Sequence, residues 1–130
     1  MQYDQFVGQV QHRARLASSG EAIRAIRSTF RVLGERLYGG TAFNLAAQLP
    51  EEIKNFLENG GDGEAFDLAE FYRRVSDIEG VDLPQAVFHA RAVISVLKDA
   101  VSPIEIKHAM DQLPDEYDPL FNAEDIMKAA

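Results

Sequence analysis

Gln48-Leu49-Pro50-Glu51-Glu52 is followed 64 positions later by Gln112-Leu113-Pro114-Asp115-Glu116. Proline lacks a backbone N–H and has a fixed φ, so it suits the first turn of a helix and not its interior. The acidic residues after each proline complement the positive N-terminal end of a helix dipole. Each copy therefore predicts that one short helix ends and another begins, and the recurrence predicts two related segments.

The sequence around these two copies aligns over a longer stretch. Residues 21–59 match residues 85–123 without a gap, and eight of the 39 pairs are identical. The opening segments match at an offset of 65, which places Phe6 opposite Phe71 and Val10 opposite Val75. Self-similarity at this period predicts a duplicated unit of about four helices. The identical pairs are Ala22/Ala86, Arg27/Arg91, Val32/Val96, Leu33/Leu97, Gln48/Gln112, Leu49/Leu113, Pro50/Pro114 and Glu52/Glu116.

Apolar residues recur every three or four positions through most of the chain, which is the pattern of amphipathic helices. No sustained period-two alternation competes with it. We therefore expect an all-α fold in which two tandem pseudo-repeats, residues 3–59 and 67–123, form one globular helical domain around a glycine-rich hinge at 59–66. The predicted helices cover residues 3–17, 20–38, 41–48, a segment opening at Pro50, 68–80, 84–100, a segment opening after Ser102, a short segment with Pro119 in its first turn, and a C-terminal tail at 123–130.

Three residue pairs have the spacing of a capping box, in which a short polar side chain and a residue three positions later cap a helix start. The pairs are Ser18 with Glu21, Asp82 with Gln85, and Ser102 with Glu105. They predict the starts of three helices.

The two longest predicted helices, residues 20–38 and 84–100, are expected to form the centres of their units. Gly39-Gly40 predicts the end of the first, because glycine readily adopts the left-handed conformation found at helix C-termini. The short helices that follow the two long ones are expected to pack across them. Leu33 and Leu97 should be nearly fully buried.

Several of these motifs resemble a known family. Leu33–Leu37 (LGERL), Ala46–Pro50 (AAQLP), Gln112–Tyr117 (QLPDEY) and Leu120-Phe121 look like the bacterial helical family catalogued as domain of unknown function 2267. The resemblance covers nearly the whole chain and rests on capping and packing residues. It implies an all-helical bacterial protein with an internal repeat. It implies no activity and so assigns no catalytic residue.

The 130-residue chain has a formal net charge of −8 and no cysteine. Residues 1–64 hold seven Lys and Arg against eight Asp and Glu, whereas residues 65–130 hold six against thirteen. This balance repels nucleic acid and anionic membrane surfaces, and it favours a basic partner for the second half. No apolar stretch approaches the roughly 20 residues of a membrane span. The lack of cysteine excludes disulfides and thiolate metal sites and suits a cytoplasmic protein.

Arg24, Arg27 and Arg31 lie at spacings of three and four, which places them on one face of the second predicted helix. Guanidinium groups in such a stripe can bind an acidic partner through paired hydrogen bonds. A solvated face, or ion pairs with the acidic second half, is the structural alternative. Arg91 matches Arg27 at the 64-residue offset and completes the set of candidate binding residues.

Motifs for catalysis, cofactors and metals are missing from the sequence. Glu105 and His108 have the Glu-x-x-His spacing of di-iron bundles, but the matched Thr41 and Asn44 cannot complete such a site. The glycine-rich segment Glu58–Glu64 opens no complete calcium loop, because the closing glutamate is missing. We predict no catalytic residue, cofactor or metal site. Paired carboxylates remain an open alternative, because pairing in space cannot be read from a sequence.

The missing chemistry and the uneven charge favour a non-catalytic protein-interaction module, with self-association of the basic helix on the acidic half as one version. The alternative is an enzyme or small-ligand binder with a carboxylate-lined pocket between the two repeats. A metal-dependent stress protein is a third hypothesis. The Gln-Leu-Pro turns are expected to be structural, with each glutamine bonding an exposed helix end.

Overall fold

A computed structural model describes residues 1–58 and 63–123. Eight α-helices and one 3-10 turn account for most of these residues, and no strand occurs among them, so the predicted all-α fold is confirmed. The predicted hinge and tail fall partly on residues 59–62 and 124–130, which lie outside the described residues. The helices are α1 (Tyr3–Arg13), α2 (Ser19–Arg36), α3 (Thr41–Ala46), α4 (Glu51–Glu58), α5 (Leu68–Glu79), α6 (Leu83–Ala100), α7 (Pro103–Asp111) and α8 (Asp118–Phe121), with the 3-10 turn Asp115–Tyr117 directly before α8.

The two 18-residue helices α2 and α6 form the centre of the fold. They contact each other, and each also packs against α1 and α5. α4 covers α2, and α8 covers α6. Leu33 on α2 and Leu97 on α6 are completely buried, as predicted, within one apolar cluster that includes residues from both halves. The halves therefore share a hydrophobic core.

Two of the predicted caps hold helix starts. The Ser18 hydroxyl accepts a hydrogen bond of 3.2 Å from the Glu21 N–H at the start of α2. The Asp82 carboxylate accepts one of 3.0 Å from the Gln85 N–H at the start of α6. At Ser18 the Glu21 carboxylate accepts from the hydroxyl at 3.3 Å, in place of the backbone bond that would complete a capping box.

Helix α1 ends at Arg13, four residues before the predicted end at Ala17. Arg15 adopts the left-handed conformation with φ 55°, and the Leu16 N–H donates to the Gln11 carbonyl at 2.9 Å. This is a Schellman motif, in which a left-handed residue turns the chain back over the last carbonyls of a helix. The apolar periodicity runs past this turn, so it gave no sign of the earlier end.

Helix α2 also ends earlier than predicted, at Arg36, because Leu37 is extended with φ −80° and ψ 155°. Gly39 and Gly40 have positive φ angles of 65° and 80°, but they lie beyond this end. Gly40 is the N-cap residue of α3. The glycine pair therefore shapes the turn into α3 and does not terminate α2.

The short helices α3 and α7 pack against each other, and α3 also packs against α4. This corrects the prediction that each short helix packs mainly across the long helix of its own unit. The predicted Ser102 cap of α7 is wrong as well, because its side chain makes no capping bond. Gln48 binds Ser102 instead: its amide donates to the hydroxyl at 3.2 Å, and its carbonyl accepts from the backbone N–H at 2.6 Å. A contact from the other half has displaced the local cap.

The described end of the linker into α5 is tied to both halves. The Phe66 carbonyl accepts hydrogen bonds from Arg36 Nε at 2.9 Å and from the Tyr117 hydroxyl at 2.6 Å. Gly63, with φ 80°, approaches Tyr38 so closely that a Cβ at this position would clash with the tyrosine Cβ. Glycine is therefore required there for its conformation and for its lack of a side chain.

Candidate functional site

The two Gln-Leu-Pro turns use their glutamines to bond the opposite half. The Gln112 carbonyl accepts from the Tyr38 N–H at 3.1 Å, and its amide donates to the Tyr38 carbonyl at 2.8 Å and the Thr41 hydroxyl at 2.7 Å. Gln48 bonds Ser102, which lies 64 positions after Tyr38. Each glutamine therefore holds the residue that leads into a short helix of the other half, in agreement with a structural role.

A cleft of about 500 Å³ lies between the two halves, at the N-terminal ends of α2 and α6. The α1–α2 loop and the start of α2 form one wall. The end of α5, the turn after it and the start of α6 form the other. The cleft carries two carboxylates and two arginines. Its charged and titratable lining residues are Arg15, Glu21, Arg24, Glu79 and His89, and its apolar lining includes Leu16, Val81 and Phe88.

Glu79 and His89 form a buried pair in this cleft. His89 Nδ1 lies 2.5 Å from Glu79 Oε2, and the residues are 6% and 4% exposed, respectively. Within the part of the chain that the structure describes, Glu79 Oε1 is buried with no hydrogen-bond partner, and His89 Nε2 also makes no hydrogen bond. Because buried polar atoms are nearly always bonded, the unpartnered Glu79 Oε1 is available to a group from outside the fold.

Two arginines at the cleft have no ion pair with the residues described. The Arg15 guanidinium reaches across the cleft and lies 5.7 Å from the centroid of the Phe88 ring. Arg24 is exposed on the second turn of α2. The left-handed backbone of Arg15 is unfavourable for any residue with a Cβ. Backbone strain of this kind is concentrated at functional positions.

The two walls of the cleft have similar backbones but different side chains. Gly80 ends α5 with φ 76°, as Arg15 ends α1 with φ 55°. The Val81 N–H donates to the Ser76 carbonyl, which repeats the bond that closes α1. The charges of the cleft therefore lie at positions where the two walls share backbone features but differ in side chain. The matched pairs are Ala14/Glu79 and Arg15/Gly80 at the 65-residue offset, and Glu21/Gln85, Arg24/Phe88 and Ala25/His89 at the 64-residue offset.

A second surface lies between α2 and α4. Arg27, Arg31, Asn55 and Phe56 line a groove of about 270 Å³. Both arginines are exposed, and neither forms an ion pair in the described part of the chain. Arg24 belongs to the same helical face, so the three predicted arginines form one exposed arginine stripe that runs from the cleft to this groove. The structure brings these three together as the spacing predicted.

Arg91, the fourth candidate binding residue, does not belong to the arginine stripe. It is half-buried on α6, and its Nε is buried without a partner among the described residues. It lies beside Tyr72, where burial raises the pKa of the tyrosine hydroxyl and the positive charge of Arg91 opposes that rise. The identical residues Arg27 and Arg91 therefore have different surroundings.

Two other arginines are buried and hold elements of the fold together. Arg13 bridges α1 to α6 through an ion pair of 2.7 Å with Asp99. Arg36 donates to the Phe66 carbonyl and lies 5.4 Å from the centroid of the Tyr117 ring. These two guanidinium groups are buried and bond to residues within the fold. The three arginines of the arginine stripe are exposed and form no ion pair in the described part of the chain.

A network of exposed charges links α5 to the linker before it. Arg74 contacts Glu64 at 2.5 Å and Glu70 at 2.8 Å, and Arg73 also binds Glu70. The hydrogen bonds from Arg73 and Arg74 lower the pKa of Glu70 to about 2. Both arginines are satisfied by local acids and leave no charge free for a partner.

Glu105 Oε2 and His108 Nδ1 lie 3.7 Å apart on one face of α7. In residues 1–58 and 63–123, no three His, Cys, Asp or Glu side chains converge so that they could hold a metal ion. None of the helices described there combines the length and apolar character needed to cross a bilayer.

The sequence did not single out Glu79, His89 or Arg15. A signal for Glu79 exists, because it follows Val75 by four positions and so falls on the apolar face of α5, where an acid is unusual. His89 lies ten positions further along, beyond a turn, and only the packing of α5 on α6 brings it to the carboxylate. The left-handed backbone of Arg15 has no signature in the sequence.

The family model described as "Uncharacterized conserved protein (DUF2267)" matches residues 3–120. The match runs from α1 into α8 and so includes both surfaces described above. No curated protein matches the chain.

Proposed function

Since the chain belongs to the DUF2267 family, whose description names no activity, we propose a function from the geometry. It is a non-catalytic module that binds an acidic protein segment along the arginine stripe. One observation carries this proposal: Arg24, Arg27 and Arg31 are exposed and without ion pairs in the described part of a chain that holds 21 acidic residues against 13 basic ones. With so many acids available, three unpaired cations on one face favour a partner outside the fold.

The chemistry of the stripe suits an acidic segment. A guanidinium group binds a carboxylate through two parallel hydrogen bonds. Seven residues of helix separate Arg24 from Arg31, a rise of about 10 Å, so a short peptide could reach all three groups. The half-buried Phe56 adds an apolar contact in the groove. Exposed ion pairs contribute about 0.2–1 kcal/mol each, so the binding should be weak, reversible and sensitive to salt.

A second copy of the chain carries a segment of the required charge. Asp115, Glu116 and Asp118 are exposed around the 3-10 turn. A contact between this segment of one copy and the arginine stripe of another joins two different surfaces, which is a heterologous interface. Self-association by this contact is the version of the proposal to test first.

Light scattering over a range of concentrations and salt tests this version. We expect the apparent mass to rise with concentration at low salt and to fall at high salt, because screening weakens exposed ion pairs. The double variant Arg27→Gln/Arg31→Gln should stay monomeric. Lys107→Gln, which removes an exposed cation from α7, should behave as the wild type.

A wild-type protein that stays monomeric at every concentration rules out the second copy as the partner. The wider proposal then depends on an acidic peptide such as oligo-glutamate. Equal binding of that peptide to the wild type and to the double variant would show that the arginine stripe is not the binding surface.

We also propose that residues 3–59 and 67–123 are tandem pseudo-repeats within one domain. The exchange of glutamine contacts supports this, since Gln48 bonds Ser102 while Gln112 bonds Tyr38. The packing of α1 on α6 and of α5 on α2 supports it too. The proposed setting is a bacterial cytosol, which suits an acidic chain without cysteine.

A further inference from the structure

The cleft at the N-terminal ends of α2 and α6 is not needed for binding along Arg27 and Arg31. We propose that it binds a small molecule that carries an oxyanion, carboxylate or phosphate, together with a hydroxyl or amino group. Arg15 and Arg24 hold the oxyanion, and the Glu79–His89 pair receives the hydroxyl or amino group. This site is separate from the groove, and Arg24 is the one residue that the two surfaces share.

The size and lining of the cleft suit such a ligand. Its volume of about 500 Å³ falls in the range of about 300–1,000 Å³ that is usual for small-molecule sites. Leu16, Val81 and Phe88 supply an apolar surface, and the charged groups are few. A ligand with an apolar body as well as these polar groups matches this distribution.

The Glu79–His89 pair determines which ligand group it can receive. With Glu79 ionised, the 2.5 Å contact is a bond in which His89 Nδ1–H donates to the carboxylate. The unpartnered Glu79 Oε1 is then an acceptor as well. This acceptor repels an oxyanion but binds a hydroxyl or amino group, so the ligand must be oriented with its oxyanion towards the arginines.

The turn that ends α1 does not require an arginine at position 15. The matched turn after α5 uses Gly80, which adopts a left-handed backbone without strain. Arg15 adopts a left-handed backbone at an energetic cost, and its guanidinium is held at the cleft by the ring of Phe88. Glycine at position 15 would close α1 equally well, so the turn itself does not require the charge that the arginine brings to the cleft.

Calorimetric titration of the full chain with matched probes tests the proposal. The first pair is 3-phenyllactate and 3-phenylpropionate, which share a carboxylate and an apolar body and differ by one hydroxyl. We expect 3-phenyllactate to bind roughly 3- to 10-fold more tightly, the equivalent of one additional hydrogen bond. The second arm is 2-hydroxy-3-phenylpropyl phosphate, which keeps the hydroxyl and the apolar body but carries a phosphate, and whichever hydroxylated probe binds more tightly identifies the oxyanion. The ring ¹⁵N resonance of His89 should shift with the tighter probe.

Two variants separate the cleft from the groove. Arg15→Gly should weaken binding of the tighter probe by roughly 10-fold or more, as expected for loss of a charged hydrogen bond. Its melting temperature should not fall, because glycine suits the backbone. Arg27→Gln, which lies outside the cleft, should bind the probe as the wild type does.

Four results would each overturn the proposal. They are the absence of binding by every probe at millimolar concentration, equal affinity for 3-phenyllactate and 3-phenylpropionate, unchanged affinity in Arg15→Gly, and an equal loss in Arg27→Gln. The last result would place the ligand on the arginine stripe. None of these outcomes depends on whether the chain associates with itself.

Discussion

The C-terminal and N-terminal ends of the central helices α2 and α6 differ in whether the residues matched between the two halves are identical. Beyond the C-terminal ends, Gln48 and Gln112 are identical, and each bonds the opposite half. At the N-terminal ends, matched residues differ in charge and size, as with Arg15 and Gly80. A contact that joins the halves constrains both partners, whereas a residue on a cleft wall can change without disturbing the core. The charged groups of the cleft therefore lie at the end where the matched residues differ.

The largest expected effects test whether the two halves are equivalent in the core. Leu33→Ala and Leu97→Ala each remove a fully buried side chain, so each should lower the free energy of unfolding by about 2–5 kcal/mol. Urea denaturation measures both. The exposed Ile104 provides the control, because Ile104→Ala should change stability by no more than about 0.5 kcal/mol. A small loss at one leucine and a large loss at the other would break the proposed equivalence.

Removing the glutamine contacts between the halves should cause the next largest loss of stability. Gln112→Ala removes three hydrogen bonds of a half-buried side chain and should destabilise the fold by about 1–2 kcal/mol. Gln48→Ala removes two at an exposed position and should cost about 0.5–1 kcal/mol. Gln9→Ala on the exposed face of α1 is the control. If both variants melt with the wild type, these contacts do not hold the halves together.

The helix-ending turns should respond to substitution in opposite directions. Gly80→Ala should lower the free energy of unfolding by about 1 kcal/mol through backbone strain alone, since nothing lies within 4 Å of the added Cβ. Gly8→Ala, inside α1 and equally open, should raise it by about 0.5–1 kcal/mol. Chemical denaturation distinguishes the two signs. An unchanged or increased stability in Gly80→Ala would mean that the turn does not require a left-handed residue.

The smallest expected effect is a pH dependence confined to α5. The hydrogen bonds from Arg73 and Arg74 hold the pKa of Glu70 at about 2, below its ordinary 4.5. A carboxyl group with a lowered pKa in the folded state stabilises the fold above the unfolded-state pKa, and that stability is lost as the pH falls through the folded-state value. The matched Gln5 does not titrate.

The stability difference between the wild type and Glu70→Gln should therefore be constant above about pH 5 and disappear as the pH falls from about 4.5 to 2. It should also shrink with added salt, because the group is partly exposed to solvent. A titration of the Glu70 carboxyl carbon by NMR checks the cause directly, and an ordinary pKa near 4.5 would contradict it.

The sequence was informative where local chemistry dominates. Apolar periodicity predicted the helices, and Ser18 and Asp82 were recognised as caps because such bonds form within a few residues. Prediction from the sequence failed where a contact with a residue far along the chain replaces a local hydrogen bond. Ser102 has the correct spacing for a cap, but Gln48 engages its hydroxyl and its N–H. The end of α1 was missed for a related reason, since the conformation of Arg15 leaves the apolar pattern unchanged.

The two candidate sites differ in the same way, because one depends on local spacing and the other on contacts between distant elements. The arginine stripe could be read from spacing, because residues three and four apart share one face of a helix. The cleft could not, because it forms where the α1–α2 loop meets the ends of α5 and α6. An acid is unusual on the apolar face of α5, but nothing in the sequence connects Glu79 with His89, and only the packing of α5 on α6 brings the two into contact.

The sequence by itself determined the helical class, the places where helices start, and the burial of Leu33 and Leu97, because hydrogen bonds along a helix and apolar periodicity act over a few residues. The tertiary structure alone decided that the glutamines cross between the halves, that α3 meets α7, and that a strained Arg15 lines the same cleft as the Glu79–His89 pair. Those outcomes depend on contacts between residues far apart in the chain, whose energies appear only after the helices have packed.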